Sequence, residues 1–166
     1  MKQWQLTRSG TPRDVLTMVE VPIPTTCADD EVLVQVSYVS LNSSIVNLLI
    51  SHYAMVDPVG GLMSKPCVPE LEFSGLVCDL RGSNAKEFNT GNNILSKFVS
   101  IIWLFLLLGD RVFGIAFEGI RNISRGVLRE YILIKQKLIV KVPDNISLKE
   151  ACCFPGTGII TYCTIR

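Results

Sequence analysis

Few residues of this 166-residue chain could carry chemistry, and the first question is whether they bind a metal. The candidate ligands are six cysteines, Cys27, Cys67, Cys78, Cys152, Cys153 and Cys163, and one histidine, His52. They form no CxxC pair and no closely spaced set of four, and His52 has no second ligand at metal spacing. A catalytic zinc needs three convergent Cys, His or carboxylate ligands and an open position, so no metal is assigned. Near the C-terminus, Gly156, Gly158 and Thr161 of GTGIIT nearly spell the dinucleotide fingerprint GxGxxG. That motif should follow a strand; here it follows Pro155 and an expected helix end, so the near-match reads as coincidence. Asn42, Ser43 and Ser44 are cap-type residues whose side chains can accept hydrogen bonds from the first free N–H groups of a helix.

The elements that must position these residues are mostly strands. In DEVLVQVSYVSLN, Asp30–Asn42, the residues Val32, Val34 and Val36 alternate with Leu33, Gln35 and Ser37, the period-two pattern of a sheet strand. The strand is expected to end by Leu41, with a helix over Ser43–Ser51. Before it, Met1–Thr7 and Val15–Val21 read as two short strands around the turn-rich Arg8–Asp14. After it, the Gly- and Pro-rich stretch Tyr53–Pro69 reads as a long loop, and long loops in compact domains often carry function. Further strands are expected at Glu72–Leu80, Gly109–Ala116, Gly126–Ile134 and Leu138–Val142, with Gly75 where a backbone must bend or approach closely. Together they suggest a mainly β (α+β) fold, an antiparallel, partly closed β-barrel with a few short helices. Ser147 and Glu150 form a capping-box signature for a helix through about Phe154. Pro155 is expected to break it, and Gly156–Tyr162 to start another.

Composition limits the partners. Lys plus Arg number 16 against 15 for Asp plus Glu, a net charge of +1 without a block of like charge, so nucleic acid and acidic membrane surfaces are not expected partners. Without a cleavable signal peptide at its start, the chain reads as cytoplasmic, with reduced thiols. The sequons at Asn42, Asn122 and Asn145 then read as polar loops.

EVLVQVSYVSLN, PELEFSGLV and GDRVFG, taken in order, resemble the N-terminal, GroES-like half of the medium-chain dehydrogenase/reductases. The resemblance is to their zinc-free, quinone oxidoreductase-like branch, including the reticulon-interacting type of reductase. It implies a GroES-like catalytic domain over residues 1–150 and, over residues 151–166, the start of a cofactor-binding half whose Rossmann domain is absent. The zinc branch places a Cys just after the strand and a His-Glu pair after a glycine near the next; Leu41–Asn42 and Leu71–Glu72 stand there, so no zinc is implied. The resemblance implies NADPH or NADH as cofactor and a small carbonyl or quinone substrate; mitochondria are a second compartment used by the family. Asn42 is then a catalytic or cofactor contact, with helix capping as its alternative. Tyr53 becomes a cleft residue, with ordinary packing as its alternative. Gly158 and Tyr162 match a run that lines the nicotinamide pocket, whereas Ile45 and Ile160 depart from the polar residues usual at their places.

One stretch departs altogether. NNILSKFVSIIWLFLLLG separates Gly91 from Asp110, and Phe98–Leu108 is apolar except at Ser100. Removing Asn92–Gly109 restores EFNTGDRVFG, which fits the family pattern without a gap. The stretch falls short of the roughly 20 apolar residues that span a bilayer. A buried helix would need a partner surface, because each large exposed apolar side chain forgoes roughly 1.5–3 kcal/mol. An in-frame retained intron is the third reading, since a pyrimidine-rich splice tract encodes Leu and Phe. The expected function is an oxidoreductase by descent, inactive as these residues alone; the alternative is a non-enzymatic truncated product or interaction module.

Overall fold

The structure, a computed structural model, describes residues 1–6, 11–25, 30–42, 67–80, 106–116 and 125–165, without the side chains at 159, 160, 162, 163 and 165. Tyr53, His52, the helix expected over Ser43–Ser51, most of the loop after it and most of the apolar stretch lie outside the described residues.

Among the described residues, two antiparallel sheets carry the fold. Strands β1 (Lys2–Leu6) and β2 (Leu16–Glu20) pair with each other, joined through a one-turn helix, α1 (Pro12–Val15). The larger sheet contains β3 (Glu31–Ser40), β4 (Glu72–Asp79), β5 (Arg111–Ile115), β6 (Tyr131–Lys135) and β7 (Ile139–Lys141), in the order β6-β3-β4-β5-β7. Its two edge strands, β6 and β7, are consecutive in the chain and linked only by the 3-10 turn Gln136–Leu138. Four strand spacings of about 4.8 Å would put the edges of a flat sheet about 19 Å apart. The link, even fully extended, reaches no more than about 14 Å. The sheet must therefore curl, which produces the partly closed barrel expected from the sequence.

Val32, Val34, Phe73, Val77, Val112, Ile132, Ile134 and Ile139 fill the inside of that curl and are buried together. They alternate along their strands because side chains at i and i+2 share one face of a sheet. Gly75 meets its expectation: a Cβ there would lie 2.0 Å from the carbonyl oxygen of Gln35, beside the register shift between Val36 and Tyr38.

Helices α2 (Leu148–Ala151) and α3 (Phe154–Ile165) close the described chain. The capping box at the start of α2 is present, with the Ser147 hydroxyl accepting the Glu150 N–H and the Glu150 carboxylate accepting the Ser147 N–H. The buried Ser74 hydroxyl donates to the Leu148 carbonyl and fixes α2 to β4. Two expectations are corrected. Pro155 does not break a helix but sits in the first turn of α3, where its missing N–H would have had no intrahelical partner. Gly126–Glu130 is not strand, because its N–H groups bond in turn to Glu70, Pro69, Val127 and Lys2 rather than to one ladder.

Candidate functional site

Three elements meet at the entrance to β4: the end of β3, the segment 68–71 and the first turn of α3. The segment is gripped along its backbone. The carbonyls of Pro69, Glu70 and Leu71 accept from the N–H groups of Leu128, Val127 and Ala116 at 3.1, 3.0 and 2.8 Å. Gly126 lies so close that a Cβ would fall 1.8 Å from the Val68 carbonyl oxygen. Held in this way, Glu70 adopts a φ of 66°, the one positive value among the described non-glycine residues. Such a conformation costs a side-chain-bearing residue roughly 1–3 kcal/mol and persists only where its surroundings impose it.

The left-handed kink sends the Glu70 side chain into the interior. Glu70 and Glu72 are both buried, at 4% and 6% exposure. Each carboxylate is used as a clamp. Oε2 of Glu70 accepts the backbone N–H of Asn42 at 3.1 Å, two residues beyond the end of β3. Oε2 of Glu72 accepts the backbone N–H of Gly156 at 3.0 Å, in the first turn of α3. A helix N-terminus favours such an anion, because its first N–H groups lack intrahelical partners and the dipole is positive there. A Cβ at Gly156 would come within 2.5 Å of Oε1 of Glu72, so a larger residue there would have to displace that carboxylate.

Burial is the main cause that raises the Glu70 carboxyl above its ordinary value of 4.5; the Asn42 N–H opposes the shift and the charge of Glu72 adds to it. The folded chain therefore holds this proton more tightly than the unfolded one. The resulting contribution to stability is present at acid pH and is lost as pH rises through the raised value. Close by, burial first, then Cys153 and Glu72, push the Cys152 thiol up to about 11. The Cys152 sulfur lies 3.8 Å from that of Cys153. A thiol so poor in thiolate is a weak nucleophile, which leaves it a packing role.

On the other side of α3 an apolar groove of about 520 Å³ opens, lined by residues that include Phe113, Leu138, Val140, Ile146, Phe154 and Gly158. Gly158 lies on α3 and is exposed, and a Cβ there would meet nothing within 4 Å. Of the residues singled out in the sequence, Asn42 is half-buried on the Glu70 carboxylate, and Gly158 sits two residues beyond the Gly156 clamp. Tyr162 lies on the same helix with its side chain outside the described atoms, and Tyr53 lies outside the described residues. Gly156 and Gly158 stand inside a helix and not on a strand-to-helix turn, so the GTGIIT near-match is not a phosphate loop. Among the described residues no group of three or more His, Cys, Asp or Glu is placed to hold a metal.

The sequence profile of the alcohol dehydrogenase GroES-like domain matches residues 28–144, well over half of the chain. The chain belongs to this family. Its GroES-like barrel recurs in solved structures. The quinone oxidoreductase of Coxiella burnetii superimposes with a TM-score of 0.69 at 21% identity, covering 99% of this chain and 44% of that one. The Escherichia coli quinone oxidoreductase complexed with NADPH gives 0.67 at 18% identity, covering 100% of this chain and 40% of that one. In sequence, the trans-enoyl reductase tenC of Beauveria bassiana is 26% identical over 147 residues, 88% of this chain and 32% of that protein. The GroES-like chain thus spans about a third of the length of the curated relative that it matches. Among its described residues no helix is long and apolar enough to cross a membrane.

The sequence reading missed the paired carboxylates. It used Leu71–Glu72 only as places where zinc ligands are lacking. The available signal was two glutamates separated by one residue at the mouth of a strand, directly after Pro69, where buried charge would need N–H partners.

Proposed function

We propose that this chain is the substrate-side, catalytic half of a zinc-independent, NAD(P)H-dependent quinone or enone reductase of the cytoplasm. One observation carries the reading. Asn42 and Gly158, which the resemblance assigns to the site, lie on two segments clamped through the N–H groups of Asn42 and Gly156 to the two carboxylates of one strand entrance, Glu70 and Glu72. The names of the quinone oxidoreductase and trans-enoyl reductase relatives supply the reaction class. The nicotinamide cofactor, when bound, supplies the hydride. The chain's own task is to orient the acceptor. Asn42 would hold a substrate carbonyl or the nicotinamide amide, Gly158 leaves open space on the groove side of α3, and the resemblance assigns Tyr162 to the cofactor side and Tyr53 to the substrate side. The substrate is a small molecule, a carbonyl compound or a quinone.

A dinucleotide gains most of its fixed binding from a βαβ unit. The 166 residues by themselves are therefore expected to bind NADPH with a dissociation constant on the order of millimolar or weaker, equivalent to about 4 kcal/mol or less. Fusing a matching Rossmann half after Tyr162 should restore tighter binding. In that fusion Asn42→Ala should reduce turnover more than it reduces folding stability. Titration of both proteins with NADPH by calorimetry decides the matter: micromolar binding by the unfused chain would mean that the cofactor site has been misplaced. An inert fusion that folds and binds NADPH would favour a non-enzymatic product.

Asn92–Gly109 is, in the same reading, an insertion foreign to the barrel. Leu107 and Leu108 at its end are exposed, while Leu106 packs against the core and Gly109, at φ 85°, makes the turn into β5. Gly91 would take over that turn in a chain lacking Asn92–Gly109. The shortened chain should give a higher soluble yield with its cooperative melting retained, because the excised stretch carries apolar surface. Failure of the shortened chain to fold would show that the stretch belongs to the core.

A further inference from the structure

We infer that Glu70 is a positioning residue: its carboxylate, fixed by the strained backbone at the mouth of β4, holds the corner that aims Asn42. The inference rests on the reductase reading for what Asn42 does, and not for how it is held. β3 ends at Ser40, and at Asn42 the N–H is taken by Glu70 Oε2 at 3.1 Å. A loop corner beyond a strand end moves freely unless something outside the strand ties it. The tie is itself immobilised, because the carbonyls of residues 69, 70 and 71 are each bonded to a different N–H and Gly126 presses on Val68. Glu70 is buried, so its side chain has little rotamer freedom to give up when it binds the corner.

The left-handed φ makes the role separable from ordinary stability. A residue kept only for folding would be better as glycine at this φ, yet a glutamate stands here. Removing its side chain relieves the backbone and loosens Asn42, two effects of opposite sign that a purely structural residue would not show.

The experiment uses the 166-residue chain, labelled with ¹⁵N. Glu70→Gly should leave the melting temperature unchanged or higher while the Asn42 amide exchanges about tenfold faster with solvent. Glu70→Gln keeps an acceptor oxygen and should hold that exchange to within about threefold of the parent. The Asn42 amide resonance should follow the Glu70 titration in the parent and lose that dependence in Glu70→Gln. Glu72 on β4 is the titratable group that acts on Glu70, and it acts in turn on Cys152, between α2 and α3; both remain in either variant. Unchanged Asn42 exchange in Glu70→Gly overturns the inference, as does a loss of melting temperature that speeds every core amide equally. In the fusion with a cofactor half, Glu70→Gly should lower kcat by about tenfold with KM for NADPH unchanged, and Glu70→Gln should recover most of it. Equal kcat in parent and Glu70→Gly overturns the catalytic consequence. A parent fusion that reduces no quinone or enone rejects the reductase reading instead, while the exchange result still decides whether Glu70 holds Asn42.

Discussion

Gly126→Ala should destabilise the chain by about 3 kcal/mol or more, at the upper end of what overpacking a close contact costs. The added methyl would fall 1.8 Å from the Val68 carbonyl oxygen and 2.6 Å from that of Pro69. Both obstacles are backbone, so no rotamer change can relieve them. Relief would require the strap 126–128 to lift, which breaks the bonds from Val127 and Leu128 to Glu70 and Pro69. Without those bonds the backbone around Glu70 keeps only the tie from Leu71 to Ala116, and its positive φ loses most of its support. Urea unfolding of the parent and variant measures the cost, and the Asn42 amide reports whether the corner is released with it. A change under about 1 kcal/mol would mean that the strap yields easily and does not impose the kink at Glu70.

Glu72→Ala should be the second most damaging change, costing roughly 1–3 kcal/mol from the Gly156 N–H left without its acceptor. The loss should concentrate at α3, whose first turn is tied to the sheet through that bond. Hydrogen exchange would show faster opening of residues 154–158 before the sheet loosens. Glu72→Gln offers the sharper contrast, since it keeps an acceptor and removes the charge. Because the charge of Glu72 helps to raise the Glu70 carboxyl, this variant should bring Glu70 back toward ordinary carboxylate behaviour and shift the pH range over which its contribution to stability is lost. An unmoved Glu70 titration would show that burial, opposed by the Asn42 N–H, sets it without Glu72.

Much of the sheet was legible because its strands are short and patterned. The alternation through Val32, Val34 and Val36 located β3, and turn residues bounded β4, β5 and β7. Gly75 could be read because a glycine inside a strand pattern has few other uses. Gly126–Glu130 was misread for a reason local pattern does not contain: VLRE is strand-like, but its partners are a kinked segment and β1, so no ladder forms. Pro155 was misread because a proline after a helix looks the same whether it stops that helix or opens the next. At the site, Asn42 was legible as a type of residue at a strand end, but its anchor was not. Glu70 at φ 66° combines a backbone conformation that favours glycine with a carboxylate. Only the folded contacts reveal the second part.

The pairing of β4 with β5 bears on how readily this fold takes a change of length between two strands. Residues 80–110 separate the two strands, which nevertheless lie side by side from Glu72↔Ile115 to Leu76↔Arg111. The entropy lost when a flexible loop closes grows only with the logarithm of its length. Restoring the loop to the length it has without Asn92–Gly109 changes that length by slightly more than a factor of two, worth about 0.8 kcal/mol by that scaling. Against the sum of contacts that align β3, β4 and β5, this is a small perturbation. A length change at this junction is thus nearly invisible to the equilibrium fold, and selection against it would act through the stickiness of the passage and the slower search for the β4–β5 register.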